Sequence, residues 1–164
     1  MSIAWDPNTQ DLRLSDLSFE LKDGGRASLA LTLGQVPKTI FTAPQQAQTA
    51  LASATFKSAE LRVIGAEVVT VFLKTESAKN QISPEMLAEG LIESLRGEMG
   101  PLAGTAFSEE LLAALRDFLK QPDELVVAFE PSSPVPMAEI LGLAITGPQA
   151  LPERLGARVA ANPE

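Results

Sequence analysis

Leu17-Ser18-Phe19-Glu20-Leu21-Lys22-Asp23-Gly24-Gly25-Arg26-Ala27-Ser28-Leu29-Ala30-Leu31-Thr32-Leu33-Gly34 is the stretch on which the fold turns. Leu17, Phe19 and Leu21 alternate with Ser18, Glu20 and Lys22. After the turn chemistry of Asp23-Gly24-Gly25, Ala27, Leu29, Leu31 and Leu33 alternate with Ser28, Ala30, Thr32 and Gly34. Strand side chains point alternately to the two faces, so two such runs around a Gly-rich turn read as an antiparallel hairpin with one face toward a core. Leu12 and Leu14 lie on the opposite parity, which a bulge or break near Ser15-Asp16 reconciles.

Downstream of the hairpin, Thr42-Ala43-Pro44-Gln45 has a capping-box pattern with Pro in the first turn, opening a short helix to about Ser53. A third strand places Ala59, Leu61 and Val63 against Ser58, Glu60 and Arg62. Residues 66–80 combine the strand-forming Val68-Val69-Thr70-Val71-Phe72 with charges that suit a helix, and the residues alone leave both readings open. Ser83 as N-cap and Pro84 in the first turn open a helix with Leu87, Leu91 and Leu95 on one side and Glu85, Glu89 and Glu93 on the other. Ser108 caps another, with Leu111, Leu112, Leu115, Phe118 and Leu119 forming a wide apolar face that Pro122 ends. A strand at Leu125–Phe129, a Pro-rich turn at Pro131–Pro136, an apolar helix around Met137–Ile145, one further turn within Pro148–Gly156 and a short strand at Ala157–Ala161 complete the chain.

The 164 residues are the size of one ordinary domain, and such a chain buries roughly 70% of its unfolded surface without needing a disulfide or metal. No linker or repeat divides it. Apolar residues make up 45%, charged residues 21%, and no run approaches the ~18 apolar residues of a membrane span. Net charge is −8 and the 13 basic residues are scattered, so the basic face that nucleic acid or an anionic membrane requires is absent. With no Cys and no His, thiolate and imidazole catalysis and most zinc or non-haem iron sites are excluded. The start, Met1-Ser2-Ile3-Ala4-Trp5-Asp6-Pro7, lacks the basic and apolar segments of a secretory signal and suits a fragment as well as a natural start. Trp5 would then sit beside whatever once preceded it.

The C-terminal hundred residues carry a recognisable series. It runs through Ile82-Ser83-Pro84-Glu85-Met86-Leu87, Phe118-Leu119-Lys120-Gln121-Pro122-Asp123-Glu124-Leu125, Pro131-Ser132-Ser133-Pro134-Val135-Pro136 and Gly147-Pro148-Gln149-Ala150-Leu151, and ends on Leu155-Gly156-Ala157-Arg158-Val159-Ala160-Ala161-Asn162. It resembles the C-terminal part of an uncharacterised family of proteobacterial envelope proteins. The half from Trp5-Asp6-Pro7 through the hairpin is similar to the curved-sheet segments of AsmA-like envelope proteins. The resemblance implies an exported protein of the periplasm or cell envelope, of which this chain would be a piece without its export signal. It also implies a helix over 66–80, and it brings no catalytic motif.

The candidate sites each have a plainer account. Glu85, Glu89 and Glu93 offer oxygen ligands to a hard cation, but such rows are usually solvated helix faces, relieved here by Arg96. Asp16 with Glu20 and Asp123 with Glu124 are the carboxylate pairs for acid/base work; edge and turn carboxylates explain them as well, and no aromatic sugar platform accompanies them. Gly24-Gly25 and Gly97–Gly104 lack the Lys-Ser/Thr of a phosphate loop. Ser132-Ser133 in the Pro-rich turn could recruit a partner, or simply set an angle between strand and helix.

These readings converge on a two-layer α+β fold, a mostly antiparallel sheet of about four to five strands with helices on one face. The strands fall at about 11–33, 56–64, 124–130 and 156–161, and the helices near 42–53, 66–79, 83–98, 108–120 and 135–145. The expected function is a non-enzymatic envelope module that binds an apolar ligand such as a lipid, with Phe19, Leu29, Leu31, Leu61, Phe72 and Phe129 lining the site. The alternative is a structural or assembly domain contacting another protein through a sheet edge or the Pro-rich turn. A hydrolase using carboxylates alone is a third class for which no pair stands out. No catalytic residue, cofactor or metal ligand is assigned.

Overall fold

The computed structural model of the chain describes residues 2–21, 25–43, 45, 47–65 and 67–163, without the side chains at 16 and 21. Residues 22–24 of the hairpin turn, Pro44 of the capping-box reading and the Asp16 carboxyl of the Asp16/Glu20 pair lie outside the described residues. The fold is α+β. Its strands are β1 (Ser2–Asp6), β2 (Asp11–Leu21), β3 (Gly25–Gly34), β4 (Thr55–Ile64), β5 (Glu124–Phe129), β6 (Val135–Pro136) and β7 (Ala157–Ala161). Its helices are α1 (Thr39–Thr42), α2 (Ala47–Ala52), α3 (Glu67–Asn80), α4 (Pro84–Glu98), α5 (Ala106–Lys120), α6 (Met137–Thr146) and α7 (Leu151–Arg154).

Among the described residues the sheet has seven strands in the order β1-β2-β3-β4-β5-β7, with β6 beside β4. That exceeds the four to five expected. The additions are β1, which pairs antiparallel from Ser2↔Ser15 to Asp6↔Asp11, and β6, which pairs Phe56↔Val135. Both escape a periodicity reading because five and two residues are too few to display an alternation. The end of β4 meets the start of β5, where the Gly65 N–H donates to the Asp123 carbonyl at 2.7 Å. The ends of β5 meet β7 head to tail, through Glu130 N–H to the Gly156 carbonyl and Asn162 N–H to the Glu124 carbonyl.

Two compact units are distinguished. The first comprises Met1–Leu17, Leu29–Glu60 and Ala128–Ala157; the second comprises Ser18–Ser28, Leu61–Val127 and Arg158–Glu164. In the first, Leu33, Val36, Ala54 and Phe56 form a buried cluster against which Trp5, Leu12, Leu31, Ile40, Phe129, Met137, Ile140 and Leu155 pack. Trp5 is seated within this unit: its indole N–H donates to the Val36 carbonyl at 2.9 Å and its ring meets Phe41 edge-on. Asp11 is 5% exposed, and both its oxygens accept from the Lys57 ammonium, at 2.7 and 2.9 Å.

In the second unit α3, α4 and α5 pack in sequence and bury Leu73, Ile92, Leu112 and Phe118. Residues 67–80 are helical, the reading that the resemblance favoured. Ser83 caps α4, accepting the Met86 N–H at 3.2 Å, and Pro84 occupies its first turn. The cap of α5 is Thr105 rather than Ser108. Ser108 sits one turn inside, fully buried, giving its N–H to the Thr105 hydroxyl and its own hydroxyl to the Thr105 carbonyl. Of the helix expected over 42–53, α2 covers Ala47–Ala52, while Thr42 closes the separate helix α1. β2 runs as one strand through Ser15-Asp16, so no break divides it there.

Candidate functional site

The six side chains expected to line a ligand groove are divided. Leu31 and Phe129 pack against the buried cluster of the first unit, which accounts for them as core. Leu29 is half-buried. Phe19, Leu61 and Phe72, all in the second unit, are 58%, 42% and 48% exposed. None of the six lines any of the clefts described below.

The exposure of Leu61 and Phe72 follows from the β4–α3 junction. β4 ends at Ile64, and Gly65, at φ 62, turns the chain, its N–H bound to Asp123 and its carbonyl accepting the Glu67 N–H. α3 then turns Leu73 and Ser77 inward. At about 100° per residue, Val71 lies about 200° from Leu73 and so points away from the buried face. Val71 is 55% exposed and Ile64 44%. Four large apolar side chains within residues 61–72 are thus left to solvent, together with Phe19 on β2. Exposed large apolar side chains such as the adjacent Val71 and Phe72 are the candidates for an interaction surface. Ile64 and Val71 were not singled out in the sequence, because undecided helix phase over 66–80 hides which face is outward.

The clefts mix polar and apolar side chains. In the second unit a cleft of about 280 Å³ is lined by Thr70, Leu73 and Lys74 of α3, Pro84, Glu85 and Ala88 of α4, and Leu119 and Lys120 of α5. Ligand sites usually span about 300–1,000 Å³. The first turn of α4 within it is already served: Ser83 takes the Met86 N–H, and the Glu85 carboxyl is held below its usual range by its own backbone N–H and the Ser83 hydroxyl. In the first unit, more open clefts of about 400 and 370 Å³ are lined by Pro37, Thr39, Thr49, Ala50 and Ser53, and by Ser132, Ala150, Glu153 and Arg154 beside the Pro-rich turn. In that turn Ser132 and Ser133 are exposed, while Val135 is fully buried in β6.

The carboxylates are engaged one by one. Glu89 accepts the Arg116 guanidinium N–H at 2.8 Å, which holds its carboxyl below the ordinary value. Glu93 lies 3.9 Å from Arg96. Asp123 accepts from Gln121, and Glu124 pairs with Arg62, so these neighbours are turned to different partners. Among the described residues no three carboxylates converge on a common point.

The two ends of the sheet differ. Because Asn162 N–H and Gly156 C=O face β5, the alternation of a strand turns the Val159 N–H outward. The Glu110 carboxylate of α5 accepts it at 3.1 Å. A charged side chain thus occupies the middle of the β7 edge, one of the devices that protect an edge from strand addition. At the other end, β1 has β2 as its single strand neighbour among the described residues. Ile3, on β1, shares the face of Trp5, Leu12 and Leu14 and is 57% exposed.

A family model described as "Uncharacterized protein" matches residues 18–162, and the chain belongs to that family. No curated protein matches it. Among the described residues no helix is long and apolar enough to cross a membrane.

Proposed function

We propose that the protein is a non-catalytic assembly module of the cell envelope, which binds another protein through surface apolar side chains rather than enclosing a small ligand. The observation that carries this reading is the placement of Phe19, Leu61, Ile64, Val71 and Phe72. These are the residue types a ligand groove would use, and they lie 42–58% exposed instead of around a shared cavity. A net charge of −8 disfavours an anionic lipid surface as the object they meet. The envelope placement rests on the family likeness carried by the Ile82–Leu87, Phe118–Leu125 and Pro131–Pro136 segments, and fractionation of cells expressing the natural protein tests it.

The rival is a lipid or other apolar ligand held on the same side chains. A benzophenone amino acid replacing Phe72, irradiated in cells, separates the two. A discrete protein adduct that disappears when Val71→Glu is added supports assembly. An adduct of lipid mass, or a high-occupancy lipid in native mass spectrometry that solvent extraction removes, overturns it in favour of the rival.

A further inference from the structure

We infer that β1 is a self-complementary edge, pairing antiparallel with β1 of a second copy about a two-fold axis through Ala4. This rests on the assembly reading and names a partner for one surface of the first unit. An edge strand carries a row of backbone groups with no partner on its outer side, and proteins that remain monomeric blunt such rows with charges, prolines or covering elements. Glu110 blunts β7 in this way. β1, Ser2-Ile3-Ala4-Trp5-Asp6, carries its one charge at its end and has no Pro.

The sequence of β1 also matches itself when reversed. With Ala4 on the axis, Ser2 stands opposite the partner's Asp6, Ile3 opposite the partner's Trp5, and Ala4 opposite the partner's Ala4. The hydroxyl of Ser2 can then donate to a carboxylate across the pair. The two Asp6 carboxylates lie about 14 Å apart, at ~3.4 Å per residue, instead of facing each other, and that is beyond the ~8–10 Å screening length of physiological salt. Like charges directly opposed are the arrangement that destabilises cross-strand pairs, and this register avoids it. On the other face Ile3, 57% exposed, is laid against the partner's Trp5, so the apolar row of Trp5, Leu12, Ile3 and Leu14 continues into the second copy. An isologous contact of this kind closes as a dimer and does not propagate.

The chain has no cysteine, so single cysteines report the register without interference. Directly opposed residues of an antiparallel pair have Cα atoms about 4.5–5.5 Å apart, within the span a disulfide accepts. Purified Ala4→Cys is expected to oxidise to a covalent dimer, Ser2→Cys to remain monomeric, and a mixture of Ser2→Cys with Asp6→Cys to cross-link to each other. Light scattering of the unmodified protein at rising concentration should show the mass doubling, and Ile3→Lys, a change at an exposed side chain, should return it to the monomer with unchanged circular dichroism. A monomer at every concentration, or equal cross-linking of Ala4→Cys and Ser2→Cys, overturns the β1 pairing. Neither outcome touches the assembly reading, which the adduct at position 72 in the second unit decides.

Discussion

Gly156 is the position at which one added methyl group should cost most. It follows α7, with φ 59, and its N–H donates to the Glu153 carbonyl. A Cβ built there would stand 2.3 Å from the Glu130 carbonyl oxygen, 2.7 Å from the carbon and 3.2 Å from the Pro131 nitrogen. All three are backbone atoms, which cannot swing aside as a side chain can. Three costs of Gly156→Ala add: about 1–2 kcal/mol for a non-glycine residue at positive φ, about 1–3 for forcing the two strands apart, and about 1 for the Glu130–Gly156 hydrogen bond that this movement breaks. The total, about 3–6 kcal/mol, is a large share of the ~5–15 available to an ordinary domain.

Two other glycines calibrate the number. Gly104 has φ 75 with nothing within 4 Å of its Cβ position, so Gly104→Ala carries the conformational cost alone. Gly90, inside α4 and also unobstructed, should stabilise by about 0.5–1 kcal/mol when replaced by Ala, which restricts the unfolded chain more than Gly does. Urea unfolding followed by circular dichroism gives all three free energies. If Gly156→Ala is no more destabilising than Gly104→Ala, the close approach of β5 to Gly156 is wrong, and with it the register of the β5–β7 pair.

Leu112, 1% exposed, and its neighbour Leu111, half-buried, test the phase of α5: Leu112→Ala should cost about 3–5 kcal/mol in urea unfolding and Leu111→Ala clearly less, and the reverse order would rotate the helix. Hydrogen bonds from Arg116 and Arg154 hold the Glu89 and Glu139 carboxyls below their ordinary value. A carboxyl whose folded pKa is depressed contributes above its unfolded value and loses that contribution as pH falls through the folded one. Unfolding midpoints should therefore be flat from neutral to about pH 5 and fall below about 4.3. Glu89→Gln with Glu139→Gln should flatten that acid limb, and an unchanged slope would show the pairs are not formed in solution. Glu110→Ala frees the Val159 N–H and should raise self-association measured by light scattering, whereas an unchanged mass would mean the β7 edge is closed by something else.

The elements with long, clean periods were legible in the sequence: the alternation over 17–33, the Ser83-Pro84 start of α4, and the apolar face of α5. Helix phase was less so. The stripe Leu87, Leu91 and Leu95 has spacing i, i+4, i+8, which drifts about 80° around a helix of 3.6 residues per turn. Ala88, Ile92 and Leu95, at i, i+4, i+7, return to within about 20°, and Ile92 is the side chain 2% exposed, whereas Leu91 is 39% exposed. The sequence puts the cap of α5 three residues late for a related reason. Thr105 and Ser108 both have cap chemistry, and what separates them is that Ser108 is buried and already bound to Thr105.

The candidate surface was hidden by a limit of the alternation itself. A period of two says that Leu61 and Val63 share a face; it does not say whether anything covers that face. Leu31 and Phe129 show the covered outcome, packed against Leu33, Val36, Ala54 and Phe56, while Leu61 in a strand of the same kind stays 42% exposed. Covering is decided by where the helices land, and the landing of α3 is set by Gly65 and its bond to Asp123, 58 residues further along the chain. No local pattern carries that information. The same holds for the edges: the carboxylate that occupies the β7 edge comes from Glu110, which in the sequence is one of two adjacent acids at a helix start. What tells it apart is the outward Val159 N–H, a group the sequence cannot place until the order of the strands is known.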